Sequence, residues 1–286
     1  MKTATDNTVW DGLSAHVLLL LALLFPLSLS AQTYEQLFEQ GVQAAQADSL
    51  TQAEALFRQT LALAPSDYRN AIVLTNLGQV QERLYAQQPG NTAKADEAIS
   101  SYSLALNITP ESVPILMARA NLYVRLNRLS KALLDYSAVI TVDPQHEQAR
   151  VGRAYIYKQR REYAQAKADY EQVLKTNPQH YTAALGMAIL MQDMQHISEA
   201  IERITQLIDL NPQQAELYAV RADIYTDNRQ DELALIDLNQ AIQLEPDNPR
   251  YILARAYLHK QMGNKRLANH DFEQAIRLGI PRSALR

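Results

Sequence analysis

Two stretches set the reading of this chain: ARANLYVRLNRLSKALLDYSAVITVDP, from Ala118 to Pro144, and GRAYIYKQRREYAQAKADYEQVLKTNP, from Gly152 to Pro178. Laid over each other they keep Ala120 with Ala154, Tyr123 with Tyr157, Ala132 with Ala166, Tyr136 with Tyr170, and the closing prolines in register. Outward from this pair the same spacing continues. Pro110, Pro144, Pro178, Pro212 and Pro246 stand 34 residues apart, a fixed period that marks stacked repeats. Twelve residues before each comes an alanine: Ala98, Ala132, Ala166, Ala200 and Ala234, with Ala53 and Ala268 continuing the series at the ends. Eight before the proline comes a bulky residue (Phe57, Tyr102, Tyr136, Tyr170, Ile204, Leu238, Phe272), and four before it an aliphatic one. Offsets of four and eight place all three on one helical face.

Each repeat carries a second amphipathic segment upstream, with a small residue at its centre: Gly41, Gly78, Ala120, Ala154, Ala188, Ala222 and Ala256. Small side chains on both segments, with a large ring filling the space between, describe an antiparallel helix pair in close approach. The proline ends each pair because it cannot continue a helix.

This pattern resembles the tetratricopeptide repeat family. Seven repeats cover about 34–67, 71–112, 113–146, 147–180, 181–214, 215–248 and 249–281, so that residues 32–286 read as one repeat domain. The resemblance implies an all-α fold, a right-handed superhelical solenoid of antiparallel helix pairs. Stability in such an array is shared between neighbours, because no pair buries its own apolar face alone. The second repeat departs from the pattern: Gly78 and Ala98 are 20 residues apart where other repeats have 12, and the extra eight, around Tyr85–Lys94, are expected in the loop between its helices.

In this family the first helices of successive repeats line a concave groove that receives segments of other proteins. Carried over by phase, the groove candidates here are Asn121, Arg125, Val151, Tyr155, Lys158, Leu185, Ile189, Gln192, Asp223, Leu253, Tyr257 and Lys260. Tyr155 and Tyr257 each offer a flat face and a hydroxyl, a frequent hot-spot chemistry. Family members that grip the terminal carboxylate of cytosolic heat-shock chaperones use Lys, Asn and Arg at fixed groove positions. This chain offers Asn121, but Phe38, Thr75 and Met117 where the lysines would stand, so that clamp is not expected. The last helix has no evident polar cap, and self-association through the C-terminal end is the alternative reading.

One correlation is internal to the chain. Arg precedes the small residue as Arg119, Arg153, Arg221 and Arg255, and Asp precedes the bulky residue as Asp135, Asp169, Asp237 and Asp271, in the same four repeats. Four Arg–Asp ion pairs within repeats are predicted, each contributing about 0–1 kcal/mol as exposed pairs.

With 286 residues, 47% hydrophobic and 20% charged, the chain can bury a core. The absence of cysteine excludes disulfide frameworks and thiolate zinc sites. A formal charge of −4 leaves no cationic footprint for nucleic acid. The run VLLLLALLFPLSL, Val17–Leu29, followed by small residues, reads as a secretory signal peptide spanning 1–31, cleaved before Ala31 or Gln32. This places the mature chain outside the cytoplasm, in a periplasm and with no stable membrane span after cleavage, secretion or an uncleaved signal anchor being the alternatives. No HExxH, GxSxG or phosphate-loop motif occurs. His146 and His180 both follow Pro-Gln in adjacent repeats, the one pair that suggests a metal site, and read as loop histidines. No cofactor, metal or catalytic residue is assigned, and the expectation is a non-enzymatic scaffold for other proteins or peptides.

Overall fold

The computed structural model describes residues 32–88, 90 and 92–285, and every regular element among them is helical. The expected signal peptide at 1–31 lies outside the described residues. Two compact units are distinguished, Met1–Ile108 and Thr109–Arg286. The first holds α1 (Tyr34–Gln46), α2 (Leu50–Leu63), α3 (Asn70–Gln87) and α4 (Thr92–Ile108). The second holds α5 (Val113–Arg125), α6 (Leu129–Val142), α7 (Glu147–Gln159), α8 (Tyr163–Thr176), α9 (Tyr181–Asp193), α10 (Ile197–Leu210), α11 (Ala215–Asp227), α12 (Asp231–Leu244), α13 (Pro249–Gln261) and α14 (Lys265–Arg277). Odd and even helices pair most closely, and each pair packs on the next within its unit. None of these helices is long and apolar enough to cross a membrane.

The small residues sit where the period places them. Ala53, Ala98, Ala120, Ala132, Ala154, Ala166, Ala188, Ala200, Ala234 and Ala256 are completely buried. Two ways of seating the large ring are used. In the first unit the ring meets a glycine of its own repeat: a Cβ built on Gly41 or Gly78 would stand 2.6 Å from the ring of Phe57 or Tyr102. In the second unit Ala120 and Ala154 occupy that place, and the ring instead lies over the first helix of the following repeat. Tyr136 covers Gly152 and Tyr170 covers Gly186, again at 2.6 Å.

The eight extra residues of the second repeat do not form a loop. They add four residues to the C-terminal end of α3 and three to the start of α4, leaving a connector only one residue longer than its equivalents. The reason is that the added turn packs. Ala95 is fully buried, and the Lys94 ammonium lies 2.9 and 3.0 Å from the two Glu54 carboxylate oxygens and 3.0 Å from Glu97. Burial pushes the Glu54 carboxyl up, but hydrogen bonds from Lys94, Arg58 and Gln81 outweigh it and bring it down to about 2. Charge-assisted bonds of this kind fix the extra helical turn in place.

The three-residue turn inside the other pairs has a fixed conformation. Its middle residue is left-handed: Asp48, Asn127, Arg161, Gln195, Arg229 and Gly263 have φ between 54° and 80°. The following N–H closes a six-residue ring to the helix, as in Arg128 N to Tyr123 O, Glu162 N to Tyr157 O and Gln230 N to Tyr225 O, at 2.8–2.9 Å. This is the Schellman arrangement, which favours glycine. Arg161, Gln195 and Arg229 hold it at a steric cost that Asn127 largely escapes. Changing Arg229 to Gly will raise stability by about 0.5–1 kcal/mol, whereas Asn127→Gly will leave it nearly unchanged; paired urea titrations read the difference directly.

Candidate functional site

The four expected Arg–Asp pairs are all formed, and each is bidentate. Arg119, Arg153, Arg221 and Arg255 each place Nε and Nη2 2.7–3.0 Å from the two oxygens of Asp135, Asp169, Asp237 and Asp271. They are not the exposed pairs anticipated from the sequence. The aspartates are only 3–5% exposed, because the residue before the bulky one faces the neighbouring helix rather than water. Three of the arginines also reach back to the preceding repeat. Arg153 Nη1 lies 3.4 Å from Ser137 Oγ, Arg221 Nη1 3.1 Å from Thr205 Oγ1, and Arg255 Nη1 2.8 Å from Asn239 Oδ1. One guanidinium thus ties three helices. The hydrogen bonds that Arg119, Arg153 and Arg221 donate to the aspartates raise their pKa against the opposing effect of burial. Burial pushes the Asp271 carboxyl up, but bonds from Arg255 and His270 prevail and hold it below the usual range. These pairs brace the row of first helices from behind.

Along that row, formed by α5, α7, α9, α11 and α13, the predicted groove residues fall into several environments. Asn121 and Arg125 are exposed on α5. Asn121 Oδ1 accepts a 2.6 Å bond from the Tyr136 hydroxyl, whose pKa burial and the Asp135 charge push up to about 12, keeping it a neutral donor. Tyr155 is 42% exposed on α7. Lys158, one turn on, reaches Asp193 of α9 at 3.3 Å. Val151 and Leu185 are half-buried and pack against the core, so they wall the row more than they present themselves to solvent. Ile189 is half-buried, as is Leu253. Gln192 is buried, and its amide nitrogen donates to Asp223 at 3.1 Å and Asp227 at 2.6 Å on α11. No cation among the described residues pairs with either aspartate.

Asp223 and Tyr257 come together. They line one cavity of about 230 Å³ between α11 and α13, together with Ala219, Thr226, Ala254 and Gln261. Tyr257 is held edge-on to Phe272, with ring centroids 5.1 Å apart, and Lys260 Nζ lies 5.9 Å from its ring. The C-terminal segment reaches the same ring: after Gly279 (φ 102°) a short 3₁₀ turn, Arg282–Ala284, brings the Ala284 carbonyl 3.4 Å from the Tyr257 hydroxyl. Thr226 and Gln261 were not singled out from the sequence. They lie at the same phase as Lys158 and Asp193 two repeats earlier, which was the available signal.

His146 and His180 have a structural task. Each stands at the N-terminus of a first helix, α7 and α9, where Nδ1 accepts the backbone N–H three residues on at 3.2 Å. This is N-capping by imidazole. Among the described residues no group of three His, Asp or Glu side chains could hold a metal ion.

The repeat geometry now stands beside two independent likenesses. The tetratricopeptide repeat family matches residues 159–224 in one form and residues 113–146 and 215–248 in another. A solved tetratricopeptide repeat protein from Parabacteroides merdae ATCC 43184 is 28% identical, covering 89% of this chain and 96% of that one, with a TM-score of 0.76. The chain is a tetratricopeptide repeat protein. The type IV pilus biogenesis factor PilW shares its fold at 17% identity, over 71% of this chain and 91% of that one, with a TM-score of 0.60. So does pilF of Pseudomonas aeruginosa, at 17% identity over 76% and 95% with a TM-score of 0.56. No curated protein matches the sequence. The helix pairs, the buried alanines and the ring-on-glycine contacts are thus those of a tetratricopeptide repeat array, a fold that serves as a scaffold for protein–protein interaction.

Proposed function

We propose that this protein is an exported, non-enzymatic scaffold that holds a segment of a partner polypeptide along the row of first helices in its second unit. The cavity between α11 and α13 carries the reading, because it combines an exposed aromatic face with a carboxylate, Asp223, that no cation among the described residues neutralises. Among the described residues Asp223 pairs only with the Gln192 amide, which also bonds Asp227, so a partner Lys or Arg would gain the Asp223 carboxylate and the Tyr257 ring in one cavity. Asn121, Arg125, Tyr155, Lys158 and Lys260 extend the contact surface, and Val151, Leu185, Ile189 and Leu253 supply its apolar wall. The apolar run Val17–Leu29 supports export, and a periplasmic setting would supply partners from the cell envelope.

Tyr155→Ala tests the groove without disturbing the core, since the ring is exposed. Crosslinking in cells followed by affinity recovery should yield partner proteins whose amount falls about tenfold in Tyr155→Ala and in Asp223→Asn, a loss of about 1.4 kcal/mol in binding. Circular dichroism should remain that of the parent. Recovery of this chain alone, crosslinked to itself and unaffected by either change, would replace the groove reading with self-assembly. Retention in the cytoplasm on cell fractionation would remove the export part of the proposal.

A further inference from the structure

A second cavity, of about 190 Å³, opens chiefly between the second helices of two repeats, α8 and α10. Leu174, Ala184, Leu207 and Leu210 give it apolar walls, and Arg203 and Gln206 are its polar side chains. Arg203 follows Ala200 by three residues, the place at which Asp135, Asp169, Asp237 and Asp271 follow their alanines. The partner position is changed as well: where the other four repeats have arginine, this one has Met187, fully apolar and buried. The fifth repeat therefore puts a cation where its neighbours put an anion, and supplies nothing to neutralise it. Arg203 Nε is buried with no hydrogen-bond partner, and no ion pair among the described residues engages its guanidinium. The adjacent Glu202 directs its carboxylate to Gln206 Nε2 at 3.3 Å instead.

A half-buried guanidinium without an acid is unfavourable, and a carboxylate arriving from outside removes the deficit with charge-assisted bonds. The walls define what carries that carboxylate. Gln206 gives its Nε2–H to Glu202 and the rest of the lining is aliphatic apart from Arg203 and Pro178, so the Gln206 amide oxygen is the one side-chain acceptor and a stretch of peptide backbone drawn into the cavity would leave N–H groups unpaired. A side chain must therefore enter while its backbone stays at the rim, where Leu210 is 65% exposed and ready to meet an aliphatic neighbour. Glutamate has the reach and the terminal charge. We propose that this pocket binds a glutamate side chain of a partner protein, flanked by leucine-like residues, with Arg203 taking the carboxylate and Leu207 and Leu210 the flanks. This site is separate from the first-helix row and does not depend on the groove reading.

The test uses the full chain and three peptides: Ac-Leu-Glu-Leu-NH2, its glutamine counterpart, and Ac-Leu-Leu with a free terminal carboxylate. Titration followed by the methyl resonances of Leu207 and Leu210 should show saturable millimolar binding of the glutamate peptide, about tenfold tighter than the glutamine one. Arg203→Met should abolish the difference between the two peptides, Arg203→Lys should keep part of it, and Leu210→Ser, on an exposed side chain, should weaken binding severalfold with the helical signal unchanged. Equal binding of the glutamate and glutamine peptides, undiminished binding by Arg203→Met, or no shift at about 10 mM peptide would each overturn the proposal. Tighter binding of the free-carboxylate peptide would assign the pocket to chain termini and overturn the glutamate assignment.

Discussion

Replacing Arg221 with methionine will destabilise the second unit by about 3–5 kcal/mol, while replacing Arg221 and Asp237 together, by methionine and leucine, will cost far less. The single change leaves the Asp237 carboxylate 3% exposed without the two bonds, at 2.7 and 2.8 Å, that now offset its burial. It also cuts the link from Arg221 Nη1 to Thr205 of the preceding repeat. The double change removes both charges and returns apolar area to the interface, which commonly leaves stability near its starting value. The fifth repeat already lacks an arginine at this place, with Met187 buried at the equivalent position. Urea denaturation of the four proteins of the cycle reads the coupling. A cost below about 1 kcal/mol for the single change would mean that the pair behaves as a surface contact.

The period was legible because it encodes a direct steric demand: two helices approach closely only where both carry small side chains, and such positions cannot drift. The Arg–Asp correlation was legible as pairing but not as burial. Which flank of a helix meets the next repeat depends on the angle between pairs, and a single repeat does not contain that information. The Tyr85–Lys94 insertion read as a loop because residues 89 and 90 are Pro-Gly, a strong turn signal. Its helical outcome depends on Lys94 reaching Glu54, 40 positions away in the chain. The left-handed turns carried a glycine only at Gly263, so Arg161, Gln195 and Arg229 gave no local sign of their conformation. The family resemblance put Tyr155, Asp223 and Tyr257 on the first helices by phase, and the structure leaves the two rings partly exposed there. The engagement of Gln192 by Asp223 and Asp227 was not legible, since it requires two first helices to lie side by side.

The two ways of seating the large ring lead to the second prediction of large effect. Within the second unit, the residue under the ring changes with the ring itself: Tyr136 lies on Gly152 and Tyr170 on Gly186, whereas the equivalent pairs further along are Ile204 with Val220 and Leu238 with Ala254. Where the ring is aromatic nothing larger than hydrogen fits beneath it. Gly152→Val puts a branched side chain where even a Cβ would stand 2.6 Å from Tyr136 Cζ, and the buried ring has no open space to retreat into. It should cost about 3 kcal/mol, the upper part of the overpacking range, despite the better helix propensity of valine than glycine. Tyr136→Ile alone should cost about 2–3 kcal/mol through the cavity it leaves. Combined, the two recreate the Ile204–Val220 pairing, and the double variant should lose about 2–3 kcal/mol less than the sum of the singles, a coupling at the high end for contacting residues. Strict additivity would show that the glycine answers some need other than the ring above it.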